Sequence, residues 1–323
     1  MNELPELTKA FERVLGELEL PQKPELLYEP VSYTINNGGK RMRPLLVLLG
    51  CKIFSEDISK ALHPSVAIEM FHNFTLVHDD IMDRAPLRRG KPSVYQKWND
   101  NVAILSGDAM MVKSYQSLVQ TRKEVLAEVL DIFNLTALEV CEGQQHDMDF
   151  EERDDVSISE YLEMIRLKTA VLLAASLKLG AVIGGASKKN AQKLYDFGLN
   201  VGIAFQLQDD ILDVYGETAK VGKQKGGDII ANKQTYLLIK AKELASEKQT
   251  NELNSWLNNS HPESEKVEAI TALYQTLNVR ELAEAEMWKY FNSGLESLKQ
   301  VQGNENWKNI LEQFATNLMH RES

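Results

Sequence analysis

The chain has 323 residues, of which 43% are apolar and 26% are charged, a composition that supports a buried core and argues against disorder. The 36 Lys and Arg residues against 47 Asp and Glu residues give a net charge of −11. That charge argues against nucleic acid as a partner, because proteins that bind nucleic acid concentrate basic residues on their surface.

Neither the cysteines nor the apolar segments point to a secreted or membrane protein. The two cysteines, Cys51 and Cys141, match no zinc-ligand spacing and suggest no disulfide framework. The N-terminus lacks the basic and apolar regions of a signal peptide, and the longest apolar stretch, residues 170–186, contains Lys178. We therefore expect a cytoplasmic protein without an integral membrane segment.

Helical periodicity dominates the chain. Apolar residues recur three and four positions apart in four long segments, residues 66–81, 126–142, 158–183 and 191–214. This spacing predicts amphipathic helices. Gly and Pro fall mostly between these segments, and no linker precedes the short polar stretch at 258–265. The sequence thus predicts an all-α fold with a single domain over residues 1–323.

The motif Asp-Asp-x-x-Asp occurs twice, 130 residues apart, each time within an apolar helical segment. Its members are Asp79, Asp80 and Asp83 in the first copy and Asp209, Asp210 and Asp213 in the second. Residues three and four positions apart share a helix face, so these carboxylates repel one another unless a cation lies between them. Hard oxygen ligands of this kind suit Mg²⁺. We expect two facing helices to share a metal cluster.

A solvated helix face is the alternative interpretation of each acidic cluster, and it is the usual fate of a run of charges. Apolar neighbours argue against it: Leu76 and Val77 precede the first motif, and Leu207 and Ile211 flank the second. The repetition of the motif in two such settings favours metal binding.

Basic residues should accompany these motifs, because Mg²⁺ held by few protein ligands usually completes its coordination with phosphate oxygens. The sequence supplies GGKRMRP at 38–44 and RRGKP at 88–92, together with Lys168, Lys223 and Lys233. Pro44 suits the first position of a helix, so the first cluster would precede a helix N-terminus, where amide groups attract anions. One basic residue is usually just solvated, but two such clusters favour phosphate binding.

Seven ordered sequence blocks also carry a likeness to a known family. They are GGKRMRP at 38–44, FHNFTLVHDDIMDRAPLRRGKP at 71–92, GD at 107–108, EGQ at 142–144, KT at 168–169, FQLQDDILD at 205–213 and the loop 222–233. With these blocks the chain resembles the trans-isoprenyl diphosphate synthases, or polyprenyl synthetases, over nearly its whole length. The resemblance implies an all-α bundle around a deep central cavity. It also implies a homodimer that condenses an allylic diphosphate with isopentenyl diphosphate.

The resemblance assigns roles to individual residues. Asp79 and Asp83 would bind two Mg²⁺ ions and Asp209 a third, with Asp80, Asp210 and Asp213 in support. Contacts to the allylic diphosphate would come from Arg88, Lys168, Thr169, Gln206, Lys223 and Lys233. Isopentenyl diphosphate would be held by Lys40, Arg43, His72 and Arg89. The ions and lysines would stabilise the leaving diphosphate, which in this family accepts the final proton, so no side-chain base is expected.

Product length in this family depends on residues one and two turns before the first aspartate motif. Here they are Phe74 and Phe71, which share a helix face. An aromatic residue at the Phe74 position goes with short products, and the resemblance favours the C20 product geranylgeranyl diphosphate. The C15 product farnesyl diphosphate remains the alternative, because Phe71 could shorten the cavity further, and both rings could also be ordinary core.

Three other functions compete with the synthase interpretation. A metal phosphohydrolase of the HD type could use His72, His78, Asp79 and Asp108, but it leaves the second motif unexplained. A class I terpene cyclase should carry an Asn/Ser/Glu motif in place of the second Asp motif. A non-catalytic synthase subunit should have lost ligands, and none is missing from this sequence.

Overall fold

In a computed structural model of the protein, the described residues are 3–216, 226–259 and 261–320. They form helices joined by short connections. The first helices in chain order are α1 Glu3–Gly16, α2 Glu25–Asn36, α3 Met42–Lys52, α4 Ser59–Met82, α5 Val94–Lys97, α6 Asp100–Leu118 and α7 Lys123–Glu151. Next come α8 Ile158–Ile165, a π-helical turn Arg166–Ala170, α9 Val171–Gly184 and α10 Lys188–Tyr215.

The described C-terminal helices are α11 Gly227–Ile230, α12 Tyr236–Leu244, α13 Glu247–Asn258, α14 Glu263–Thr276, α15 Val279–Lys299 and α16 Glu305–Met319. Across the described ranges the strands are confined to a two-residue hairpin, β1 Leu87–Arg88 and β2 Lys91–Pro92. The prediction of an all-α protein is confirmed.

Three of the four predicted helical segments lie within longer observed helices, and the fourth, residues 158–183, spans α8, the π-helical turn and α9. The clearest extension is α4, which begins at Ser59 although Pro64 lies inside it. Proline cannot donate to the carbonyl four residues earlier. That carbonyl belongs to Lys60, which is exposed, so water can take the place of the missing donor.

The contacts divide the chain into two compact units, each built from segments that are distant in sequence. Unit 1 comprises Met1–Asn134, Ala175–Leu194 and Gln302–Ile310, and unit 2 comprises Leu135–Ala174, Tyr195–Val301 and Leu311–Ser323. Each unit buries its own core. The single domain over residues 1–323 and the central cavity stay predictions.

In unit 1, α4 packs against α3 and α6, and α2 packs against α6. The C-terminal part of α9, which belongs to this unit, approaches α3 closely, because a Cβ atom on Gly184 would lie 2.7 Å from the Cys51 carbonyl oxygen. The central helix α4 carries the first aspartate motif at its C-terminal end, so this packing fixes the direction in which the motif points.

In unit 2, α12 packs against α8, α14 and α15, and α14 also packs against α11 and α13. This unit holds α8, the π-helical turn and most of α10, which carries the second aspartate motif. Among the described residues one helical stretch, Ile158–Gly184, is long and apolar enough to cross a membrane. Because 78% of its most apolar window is buried, it reads as a core helix.

Candidate active site

The first aspartate motif occupies the last turn of α4. Asp80 is buried, Asp79 is partly buried, and Asp83 is exposed and caps the helix. The C-terminal end of a helix carries partial negative charge, so three carboxylates there are unfavourable without cations. Burial raises the pKa of Asp80, and the neighbouring Arg88 guanidinium opposes that rise.

The donor set fits Mg²⁺ bound together with a phosphate ligand. Within the described residues no group of three or more His, Cys, Asp or Glu side chains forms a complete metal site. Mg²⁺ seldom uses such a cage; it usually takes one or two carboxylates, and phosphate oxygens and water fill the other positions. Asp79 and Asp83 offer that kind of partial, oxygen-only set at the open end of a helix.

A tight hairpin places two arginines beside this motif. Arg89 and Gly90 both have positive φ angles, 54° and 75°, as the two-residue turn of a type I′ hairpin requires. Arg88, on β1, donates through Nε to Asp80 Oδ1 at 2.9 Å. Arg89 donates to the carbonyl oxygen of Gly38. The sequence predicts a loop here and not a hairpin. The one local signal for a hairpin is Gly90 at the second position of the turn.

The glycine-rich loop before α3 wraps around Arg89. A Cβ atom on Gly39 would lie 2.9 Å from the Arg89 guanidinium carbon, and Gly39 has a φ of +132°, a value that favours glycine. Lys40, in the same loop, is exposed. The loop thus brings Lys40 and Arg89 to one face of unit 1.

Arg41 anchors this loop in the core, which the sequence did not predict. The residue lies in the left-handed region, with a φ of 46°, and it is buried. Its guanidinium donates to Glu69 Oε1 at 2.7 Å and to Glu12 Oε1 at 2.9 Å. A further bond reaches the Ile35 carbonyl oxygen at 2.8 Å. Because Glu12 and Glu69 are distant in sequence, the motif GGKRMRP does not reveal this role of Arg41.

Arg43 and His72 form a polar pair between α3 and α4. Arg43 donates to His72 Nε2 at 3.0 Å, so the imidazole accepts and its proton lies on Nδ1. Burial, and then the charge of Arg43, lower the pKa of His72 well below its ordinary value. Burial also lowers the pKa of Arg43, to about 10. At neutral pH the pair therefore carries one positive charge, on Arg43. Pro44 is at the third position of α3, since the helix begins at Met42; the prediction of the first position was wrong.

Phe71 and Phe74 lie on α4 above the aspartate motif. Their ring centroids are 5.7 Å apart, and Phe71 also packs edge-on against Phe133 at 5.2 Å. Phe71 is fully buried, whereas Phe74 is partly exposed and contacts the His78 ring at 4.7 Å. His78 in turn bonds the Ile104 carbonyl oxygen at 3.2 Å.

The histidines do not assemble as an HD-type phosphohydrolase would require. His72 bonds Arg43, and His78 is directed to a main-chain carbonyl with Asp108 4.0 Å away. The described residues hold no joint set of these ligands. The geometry of unit 1 thus disfavours this alternative.

In unit 2 the second aspartate motif is part of a hydrogen-bonded network. Both oxygens of Asp210 accept bonds: the Tyr161 hydroxyl donates to Oδ2, and Gln206 Nε2 donates to Oδ1 at 3.3 Å. Burial raises the pKa of Asp210 well above its ordinary value, and burial and Asp210 raise that of Tyr161. Asp213 Oδ2 accepts the main-chain N–H of Asp228 at 3.0 Å. Asp209 is partly buried.

Lys168 and Thr169 lie in the π-helical turn. Lys168 Nζ is 2.5 Å from Asp147 Oδ2, and the Thr169 hydroxyl donates to Gln206 Oε1 at 3.2 Å. Such turns are rare and concentrate at functional sites. Sequence reasoning found both residues but missed Asp147 and the turn itself.

Two predicted basic residues remain, Lys233 and Lys223. Lys233 is exposed after α11, and with Asp210, Asp228 and Tyr274 it lines a small pocket in unit 2. Lys223 lies outside the described residues.

The two carboxylate motifs lie on separate units of an all-α chain, and basic residues accompany each of them. This combination favours an enzyme that acts on diphosphate substrates. A family model described as Polyprenyl synthetase matches residues 24–275. The chain belongs to the polyprenyl synthetase family. It is thus a prenyltransferase, and enzymes of this family use Mg²⁺ and act on isopentenyl and allylic diphosphates.

Individual relatives agree with this assignment. A geranylgeranyl diphosphate synthase of Methanosarcina mazei is 40% identical over 243 residues, 75% of each chain. A geranylfarnesyl diphosphate synthase of Natronomonas pharaonis is 35% identical over 322 residues, 94% of this chain and 92% of its own. Among solved structures, a geranylgeranyl pyrophosphate synthetase from Pyrococcus horikoshii is 34% identical. It has a TM-score of 0.92 and covers 99% of this chain and 98% of its own.

Proposed function

We propose that this polyprenyl synthetase condenses isopentenyl diphosphate with an allylic diphosphate and ends at the C20 product, geranylgeranyl diphosphate. One observation carries the proposal: the hairpin that pairs Arg88 with Asp80 also holds Arg89 against the glycine-rich loop. A carboxylate motif for a metal-bound diphosphate and a basic surface for a second diphosphate are thus tied together in unit 1.

Lys40, Arg43, His72 and Arg89 would hold isopentenyl diphosphate. Arg43 and Arg89 supply fixed positive charge, and Lys40 adds a mobile ammonium group at the exposed end of the loop. Neutral His72 accepts a bond from Arg43 and so orients the guanidinium. Holding the diphosphate in this way leaves the double bond of the substrate free to meet the allylic carbon, which is a positioning task.

Asp79 and Asp83 would hold two Mg²⁺ ions and Asp209 a third. When bound, Mg²⁺ supplies positive charge that stabilises a diphosphate leaving group. Asp80, Asp210 and Asp213 would support these ligands, which agrees with the hydrogen bonds that Asp80, Asp210 and Asp213 accept from the protein.

The allylic diphosphate would meet Arg88, Lys168, Thr169, Gln206, Lys223 and Lys233. Arg88, Lys168, Lys223 and Lys233 would stabilise the charge that develops on the diphosphate as the C–O bond breaks. Gln206 is uncharged and differs from these basic residues. Its amide nitrogen donates to Asp210, and its amide oxygen accepts from Thr169. It would therefore offer an oxygen to the allylic end of the substrate.

The C20 product is supported by relatives named geranylgeranyl diphosphate synthase and by Phe74, which lies partly exposed one turn before the aspartate motif. Fully buried Phe71 would then close the cavity behind it. The C15 product would require Phe71 to limit the chain further, and a relative named geranylfarnesyl diphosphate synthase shows that longer products also occur among similar sequences.

A cytoplasmic homodimer completes the proposal. On α6, Leu105 and Val112 lie two turns apart and are 60% and 58% exposed, and Val119 follows at the same spacing with 48% exposure. An apolar stripe of this kind supports contact with a second copy of the chain. Because all six motif aspartates are present, a non-catalytic subunit is the weaker alternative.

The direct test is incubation of the purified protein with Mg²⁺, isopentenyl diphosphate and one starter: dimethylallyl, geranyl or farnesyl diphosphate. The products are dephosphorylated and sized as alcohols. We expect elongation that stops at C20 from all three starters. A C15 end point would refute the product assignment alone, and no elongation from any starter would refute the synthase.

A further inference from the structure

We propose that Tyr161 and Asp210 are positioning residues that fix the orientation of the Gln206 side-chain amide. The π-helical turn places Thr169 on the same side as Tyr161, where it reaches the oxygen of this amide. This inference rests on the proposed function, because it assigns Gln206 and Thr169 to the allylic end of the substrate. All four residues lie in unit 2.

The hydrogen bonds of the network converge on Asp210 as the final acceptor. Tyr161 and Gln206 each donate to a different oxygen of Asp210. Thr169 donates to the oxygen of the same Gln206 amide. An amide can flip by half a turn and exchange its donor and acceptor ends. Here a flip would turn the amide oxygen toward the Asp210 carboxylate and the NH₂ group away from it, so Asp210 selects a single orientation.

Tyr161 holds Asp210 in the position from which it makes this selection. Tyr161 is 2% exposed and Asp210 is 4% exposed, so water does not replace the phenol hydroxyl as a donor. Removing one partner of a buried charged group leaves that group undersatisfied, and it then shifts or captures another donor. Without the phenol, Asp210 would rotate and release Gln206.

The π-helical turn explains how Tyr161 and Thr169 can face the same helix. In a regular α-helix, residues eight positions apart point about 80° away from each other, whereas residues seven apart differ by about 20°. A single π turn accommodates one extra residue, so the eight-residue step from Tyr161 to Thr169 behaves like a seven-residue step. Both side chains then meet α10.

The opposing helix has matching spacing. Gly202, Gln206 and Asp210 follow one another at four-residue intervals on α10, and residues so spaced share a face. A Cβ atom on Gly202 would lie 2.6 Å from Ala170 Cα, so the absence of a side chain lets the two segments come together. This close approach brings Thr169 within hydrogen-bonding distance of Gln206.

The test compares Tyr161→Phe with Tyr236→Phe in the full-length protein. Tyr236 is also buried in unit 2, at 5% exposure, and makes none of these contacts. A hydrogen bond to a charged group contributes about 1.5–3 kcal/mol, which corresponds to at least about tenfold in rate. We expect kcat of Tyr161→Phe to fall about tenfold, with KM for isopentenyl diphosphate within about twofold of the wild type.

Binding of an allylic thiodiphosphate, whose C–S bond resists ionisation, separates positioning from general damage. We expect its Kd to change less than about twofold in Tyr161→Phe, because the diphosphate contacts remain. A double variant with Asp210→Asn should be no slower than the slower single variant, since the two residues act as one unit.

Three results would overturn the proposal: a kcat loss no larger than that of Tyr236→Phe, a parallel loss of thiodiphosphate binding, or additive effects in the double variant. An inactive wild-type protein would instead refute the proposed function.

Discussion

Replacing Phe74 by alanine should lengthen the product by one isoprene unit, from C20 to C25. The Phe74 ring is partly exposed one turn before the aspartate motif, and the Phe71 ring lies behind it with a centroid separation of 5.7 Å. If the growing chain ends against Phe74, removal of that ring exposes Phe71 as the next barrier.

The size of the change follows from this geometry. One isoprene unit adds four chain bonds of about 1.5 Å, which in a zigzag extend about 5 Å. The two rings are three residues apart on α4, about 4.5 Å along the helix axis. Both lengths accommodate one unit. Phe71 is fully buried and packs against Phe133 at 5.2 Å, so it should stop a second addition.

The assay is chain-length analysis of the dephosphorylated products by mass spectrometry, with dimethylallyl diphosphate as starter. Phe74→Tyr is the matched control, because it keeps the ring, and its product should stay at C20. An unchanged product from Phe74→Ala would show that this ring does not limit the chain. A ladder of products well beyond C25 would show that Phe71 is not the next barrier.

Two further predictions concern pH. Burial lowers the pKa of His72 in the folded protein, so as pH falls the unfolded chain binds a proton at His72 before the folded protein does. The free energy of unfolding therefore falls as pH drops below about 6.5, by at most about 1.4 kcal/mol per pH unit. His72→Gln should therefore reduce the fall in melting temperature between pH 7.5 and 5.5. A fall as large as that of the wild type would contradict the burial argument. Ser157 caps the N-terminus of α8, and the Glu160 carboxylate accepts hydrogen bonds from Ser157 and from Arg153. The bonds from Ser157 are the main cause that lowers the pKa of Glu160 to about 2. The stability deficit of Glu160→Gln in urea should be full at pH 7 and shrink as pH falls from about 4.5 toward 2; a constant deficit would contradict it.

The long helices and both aspartate motifs could be predicted from the sequence because their signals are local. A 3.6-residue apolar period identified α4 and α10, and the three- and four-residue spacing of the aspartates placed each motif on one helix face. The same local logic identified Arg88 and Arg89 as basic residues near the first motif.

The connections between these residues could not be predicted, because they depend on tertiary packing. Arg41 is fixed by Glu12 and Glu69, which are 29 and 28 residues away. The π-helical turn has no sequence signal in RLKTA, since it depends on the fit between two packed segments. Tyr161 belongs to no motif, and only its bond to Asp210 reveals it.

The hairpin lies between these two cases. Its strands are two residues long, too short to show an alternation of apolar and polar residues. The turn Arg89-Gly90 does contain a sequence signal, because glycine takes one of its two positive φ angles. The structure pairs each arginine with a different partner, Asp80 or Gly38. Sequence alone placed both arginines near the motif without that division.

The central claim is that the first aspartate motif supports prenyl transfer, and the comparison of wild type with Asp79→Ala tests it most directly. The measurement is Mg²⁺-dependent incorporation of labelled isopentenyl diphosphate, with circular dichroism of both proteins as the folding control. A metal site contributes several kcal/mol to such a transition state, so we predict active wild-type protein and at least about a hundredfold loss in Asp79→Ala, with helicity unchanged. Equal incorporation by both folded proteins would contradict the account.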